Sequence, residues 1–185
     1  GAFFFDLDND GDMDALNGNG MDDPETTDDD WAVHQKMKLY VNQGYEENYK
    51  MVDEATLRGI NNLKENRGAM VFDFDLDGDL DVFVVNHADK PSLYKNNGGN
   101  YYDYIRVEVK EPSGRDAIGA KVYMLLDDDS NYGDATNNQE ERDEDVLVEQ
   151  LREIGNSAAF LGQSEAVAHF GLGLRRTPVY RIRIV

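Results

Sequence analysis

Asp6-Leu7-Asp8-Asn9-Asp10-Gly11-Asp12-Met13-Asp14 returns 67 residues later as Asp73-Phe74-Asp75-Leu76-Asp77-Gly78-Asp79-Leu80-Asp81. Both copies place Asp at every odd position and Gly at the sixth. An aromatic apolar run precedes each (Phe3 to Phe5; Met70 to Phe74) and a second apolar segment follows (Ala15-Leu16; Val82 to Val85). The run after the second copy is short, β-branched and aromatic, which favours a buried strand over a helix. Another shared element, Leu39-Tyr40-Val41-Asn42-Gln43-Gly44 against Leu93-Tyr94-Lys95-Asn96-Asn97-Gly98, reads as a strand ending in a turn. The repeating unit is therefore strand, acidic loop, strand, connection, strand, turn. Strand repeats of this size suggest propeller blades or a similar array.

Five aspartates in nine residues are costly without a cation, and their alternation solves a problem in hard-ion chemistry. A calcium ion takes six to eight oxygens at about 2.3–2.6 Å. In a tight turn the side chains at positions 1, 3 and 5 point inward, position 7 offers its carbonyl, position 9 closes the shell, and Gly permits the reversal. The expected side-chain ligands are Asp6, Asp8, Asp10 and Asp14 in the first loop, with a backbone oxygen from Asp12. In the second they are Asp73, Asp75, Asp77 and Asp81, with a backbone oxygen from Asp79. Calcium fits better than magnesium, which retains waters and needs fewer carboxylates. Asp, Asn and Gly also make turns for purely conformational reasons, but two copies with identical spacing argue for two Ca²⁺ sites. An EF-hand is excluded: it needs a bidentate Glu at position 12 between helices, and that position is Asn17 in one copy and Val84 in the other, with strand-like flanks.

From about Tyr101 the texture changes. Ile105, Val107 and Val109 alternate with Arg106, Glu108 and Lys110; Val122, Met124 and Leu126 repeat the pattern, as do Tyr180, Ile182 and Ile184. These are the period of half-buried strands. Val146 to Ile154 suits a helical face as well as a strand, and is read as a strand. Residues 127–145 hold nine acids and one Arg without apolar periodicity, an inserted solvated loop or hairpin excursion. Two all-β units are expected, over 1–100 and 101–185.

Composition narrows the function. Of 185 residues, 38 are acidic and 18 basic, a net charge of −20, which argues against nucleic-acid binding. Residues 1–100 alone hold 22 acids and 8 bases. No apolar run reaches the roughly 18 residues that cross a bilayer, and no leader-like segment opens the chain. There is no cysteine, so no disulfide framework, thiolate zinc site or cysteine nucleophile. Both ends look cut from something longer.

Several strings resemble a known combination. The Asp-x-Asp-x-Asp-Gly-x-x-Asp loops between strands are similar to the calcium loops of FG-GAP/VCBS repeats, the blades of integrin-like β-propellers, as are Val52-Asp53-Glu54-Ala55 and Arg67-Gly68. Arg115-Asp116-Ala117-Ile118-Gly119-Ala120-Lys121-Val122, Phe160-Leu161-Gly162-Gln163-Ser164 and Val167-Ala168-His169-Phe170-Gly171-Leu172-Gly173 resemble the ASPIC/UnbV domain that often follows such repeats. The resemblance implies partial propeller blades with calcium loops over 1–100, and a β-sandwich-like domain over 101–185 with the acidic insertion at 127–145. A closed propeller of this type needs about seven blades, and this chain has two loops. Gly18 to Val33 looks expanded.

The resemblance implies an extracellular or cell-surface module and supplies no catalytic residue. His34, His87 and His169 form no triad order or metal-protease spacing, and His169 reads as a structural histidine. The expected function is a non-catalytic, calcium-binding structural or adhesion module. Its open strand edges need a protein partner or another copy, up to a fibre. The alternative is a glycan- or protein-binding propeller fragment using Gly18 to Asp30, Trp31 and the tyrosines; a hydrolase accessory domain ranks below both.

Overall fold

Phe3 and Phe5 leave the first strand on one side and are buried, while Phe4 leaves on the other and is 62% exposed. That period of two recurs through the chain and builds an all-β molecule, seen in a computed structural model that describes residues 1–18, 36–60, 64–98, 101–127, 147–155, 162–173 and 180–185. The strands are β1 (Ala2–Phe5), β2 (Asp14–Asn17), β3 (Lys38–Asn42), β4 (Met51–Asp53), β5 (Asn66–Phe72), β6 (Asp81–Asn86), β7 (Ser92–Tyr94), β8 (Asp103–Glu108), β9 (Lys121–Asp127), β10 (Leu147–Glu153), β11 (Val167–Gly173) and β12 (Tyr180–Ile184). A single turn of 3-10 helix spans Tyr45–Glu47.

All strand pairs are antiparallel, in sheets ordered β1-β2-β3-β4, β5-β6-β7, β8-β11 and β10-β9-β12. None of these sheets closes on itself. The repeat persists in register: Phe5 pairs with Asp14 as Phe72 pairs with Asp81, so each acidic loop is the connection of one strand pair.

The first two sheets share one apolar core, from Phe3, Phe5 and Leu16 through Leu39 and Val41 to Val71, Val82 and Val84. A second core gathers Val122, Met124, Ile154, Ala168, Phe170 and Leu172, with Ile105 and Val107 packed against it. The segment that suited both a strand and a helical face is strand β10, paired along its length with β9.

One strand departs from expectation. The alternation in β12 reads as half-buried, yet Ile182 and Ile184 are 43% and 51% exposed. They pair with Met124 and Val122, but among the described residues β12 is an edge strand with a neighbour on one side only. Most of the acidic segment 127–145, all but Gly18 of the expanded stretch at Gly18 to Val33 (Trp31 included), His34 and Phe160-Leu161 lie outside the described residues.

Candidate metal centres

The two loops are the same object built twice. In the first, the Gly11 N–H donates to Asp6 Oδ2 at 3.1 Å and the Asp12 N–H to Asp10 Oδ1 at 2.8 Å. In the second, the Gly78 N–H donates to Asp73 Oδ2 at 3.1 Å and the Asp79 N–H to Asp77 Oδ1 at 3.1 Å. Gly11 and Gly78 turn the chain at φ 98° and 95°, a region open to glycine. The last aspartate of each loop starts a strand and is held from both sides. Asp14 accepts from the N–H groups of Leu7 and Asn42, both at 2.8 Å. Asp81 accepts from those of Phe74 at 3.0 Å and Asn96 at 2.7 Å. Asn42 and Asn96 hold the same place in the shared Leu-Tyr-x-Asn element, so that element ties the third strand of each unit to its loop.

Carboxylate oxygens of Asp6, Asp8 and Asp14 lie within 4.8 Å of one another, as do those of Asp73, Asp75 and Asp81. These triads hold three of the four expected side-chain ligands of each loop. Asp10 and Asp77 are outside them, in the short bonds across the turn given above, and Asp12 and Asp79 have their N–H groups in those bonds. Asp6 is 1% exposed, and its Oδ1 has no hydrogen-bond partner among the described residues. A buried carboxylate oxygen without a donor is destabilising. Asp6 also belongs to the cluster with Asp8 and Asp14, and a cation there relieves the carboxylates together. The donor set is hard oxygen throughout, which fits calcium.

The electrostatics set the loops apart. Burial, followed by the charges of Asp10 and Asp8, pushes Asp6 up to about 7 against the opposing pull of Arg152. Asp14 is likewise pushed up to about 7 by burial and then by Asp8 and Asp6, and Asp10 up to about 6 by burial and then by Asp8 and Asp12. In the second loop Asp81 is raised by burial, while Asp77 is lowered, chiefly by the Asp79 N–H. Basic side chains already lean on both loops. The Arg58 guanidinium is 3.5 Å from Asp8, and the Lys95 ammonium bonds Asp75 and lies 3.3 Å from Asp77.

A third layer of contacts has no counterpart in the loop motif. Asn9 is fully buried. Its amide donates to the Gly78 carbonyl of the other loop at 3.1 Å, and its Oδ1 meets His169 Nε2 at 2.6 Å. With the amide nitrogen committed to Gly78, Oδ1 is the acceptor and His169 carries its proton on Nε2. Burial, then Arg106 and Arg152, bring the His169 pKa down to about 4, which keeps the ring neutral. Its Nδ1 is buried without a hydrogen-bond partner among the described residues. The Gly171 N–H donates to Asp6 Oδ2 at 3.0 Å, and Arg106 lies 3.3 Å from Asp73 Oδ2. His87 sits in a turn against Glu65, 2.9 Å away.

Comparison with known proteins adds a partial likeness. No family model matches the chain. Over 110 residues it is 30% identical to cartilage acidic protein 1 of Mus musculus, and equally to that of Homo sapiens; the matched region is 57% of this chain and 14% of each relative. The chain is thus similar to a small part of a much longer acidic protein.

Proposed function

We propose that this chain is a non-catalytic, calcium-binding structural or adhesion module, with one Ca²⁺ in each aspartate loop. Asp6, Asp8, Asp10 and Asp14 hold the first ion with the Asp12 backbone; Asp73, Asp75, Asp77 and Asp81 hold the second with the Asp79 backbone. The observation that carries the reading is the buried Asp6 Oδ1, left without a donor where three carboxylates meet. The ions pin strand-to-strand connections in a fold that is otherwise assembled, adding stability by mass action. In this reading the two N-terminal sheets are blades of an incomplete propeller and the C-terminal pair a β-sandwich-like domain, as the FG-GAP/VCBS and ASPIC/UnbV resemblances imply. The unpaired outer strands then take a protein partner or another copy.

An extracellular or cell-surface setting is supported by the likeness to a protein named for cartilage. Calorimetric titration with calcium should give close to two ions per chain. Asp6→Asn with Asp8→Asn should remove one of them, and Asp73→Asn with Asp75→Asn the other. No heat at millimolar calcium would end the proposal.

A further inference from the structure

The sequence places the calcium loops in one unit and His169, Gly171 and Gly173 in another, yet these parts touch at the loops themselves. The Gly171 N–H and the loop's own Gly11 N–H both donate to Asp6 Oδ2, while Oδ1 is buried without a donor. The Gly173 N–H donates to the Asn9 carbonyl at 2.9 Å, and His169 holds the Asn9 side chain. Gln150 of β10 donates to the Gly171 carbonyl at 2.9 Å. At the second loop, Tyr104 of β8 lies against Gly78, where a β-carbon would run into its ring. The same ring stacks on His169 with centroids 5.4 Å apart, and Arg106 of β8 pairs with Asp73.

Glycine at 171 follows from this closeness. A β-carbon there would run into the Asp6 carboxylate and the Asn9 backbone. Elsewhere the seam is open: a cavity of about 350 Å³ lies beside it, lined by Phe3, Phe5, Val71, Leu151, Val167 and His169. A bond from the Val71 N–H to Ser164 Oγ at 3.1 Å ties the two units away from the loops. With part of the seam unfilled, the contacts at the loops carry much of the docking.

We propose that the β8–β11 sheet is the outer wall of both calcium sites, so that ion loading and docking of the C-terminal sheets are one linked equilibrium. His169 and the Gly171 N–H act as positioning groups for the first site, and Arg106 and Tyr104 for the second. None of the four touches the ion. The inference rests on the calcium reading, and linkage gives it a signature of its own: whatever factor docking adds to calcium affinity, calcium adds to docking. Outer-shell partners of a metal ligand typically change affinity 10–100-fold when removed.

The test uses the full chain, with calcium chloride as the probe. Hydrogen exchange of the segment 167–173 should slow about tenfold or more in calcium relative to a chelator. Titration of His169→Ala should show the first site weakened. His169→Gln, which restores a donor to Asn9, should recover most of that loss. Two ions bound at wild-type affinity by His169→Ala, with exchange of 167–173 indifferent to calcium, would overturn the linkage and leave the metal sites standing. Absence of calcium uptake by the wild-type chain would overturn both. Should His169→Ala not fold, the exchange comparison on the wild-type chain decides alone.

Discussion

Asn9 and Leu76 hold the same place in the two loops, at φ 58° and 61°. Asn tolerates this left-handed conformation, whereas it costs other L-residues roughly 1–2 kcal/mol. Asn9 also spends its side chain on two partners, while Leu76 is 74% exposed. Leu76→Asn should therefore stabilise the protein by about 0.5–1 kcal/mol, read as a higher denaturant midpoint with unchanged slope. A neutral or lower midpoint would mean that the second loop does not keep this backbone in solution.

Lys95 offers a second comparison at this scale. Its ammonium shares Asp75 and Asp77 with the expected ion, so the two compete. An exposed pair of this kind is weak, and Lys95→Met should tighten the second site by about two- to fivefold at most. Calorimetry resolves the two sites; an unchanged second affinity would place the ion away from these carboxylates.

The raised carboxylates of the first loop set a pH dependence. Between about pH 4 and 7 the unfolded chain has released protons that Asp6, Asp10 and Asp14 retain in the ion-free fold, so ion-free stability falls as pH rises through this window. His169, neutral in the fold, has the opposite sign below about 6.5, and the carboxylates outnumber it. Calcium requires the ionised forms, so its affinity climbs over the same range. The calcium-induced rise in melting temperature should be larger near pH 8 than near pH 5. A shift independent of pH would show that the first-loop carboxylates do not take up the ion.

Among the elements, the paired loops and their flanking strands were legible because their information is local: alternation, turn residues and a motif nine residues long. The register match of Phe5 with Asp14 and Phe72 with Asp81 is what the repeat spacing implies. The strand β10 was less legible, since Leu147, Leu151 and Ile154 also line a helical face, and pairing with β9 settles the conformation. The contact of β11 with the loops was not legible at all. It joins residues 160 apart in sequence, Asn9 and His169, and neither carries a local sign of the other. Gly171 stands in the sequence only as part of the Val167–Gly173 string, and its closeness to Asp6 emerges from the structure.

Core positions within these elements should respond by burial. Leu16 of β2 is fully buried between Phe3 and Leu39 in the sheet, and Leu16→Ala should destabilise by about 2–5 kcal/mol in chemical denaturation. Leu57, 81% exposed, should change by less than about 0.5 kcal/mol when cut to Ala. Equal effects would contradict the described packing.

For the whole molecule, charge placement connects the two units. The N-terminal hundred residues are strongly acidic, and the C-terminal sheets present Arg106 and Arg152 to them, the latter 4.0 Å from Asp6. Two guanidinium groups offset only a fraction of ten loop carboxylates. In the absence of calcium the remainder repel across short distances, and dissolved salt relieves such repulsion as the screening length falls from about 30 Å at 0.01 M to about 3 Å at 1 M. Sodium chloride should therefore raise the melting temperature of chelated protein over this range. With calcium saturating, the loops are neutralised at the source and the salt-induced rise should shrink, while the acids of 127–145 contribute alike in both conditions. Scanning calorimetry in a chelator and in calcium, each across the salt series, isolates the difference. Parallel salt dependences would locate the repulsion outside the loops and remove the electrostatic reason for an ion in them.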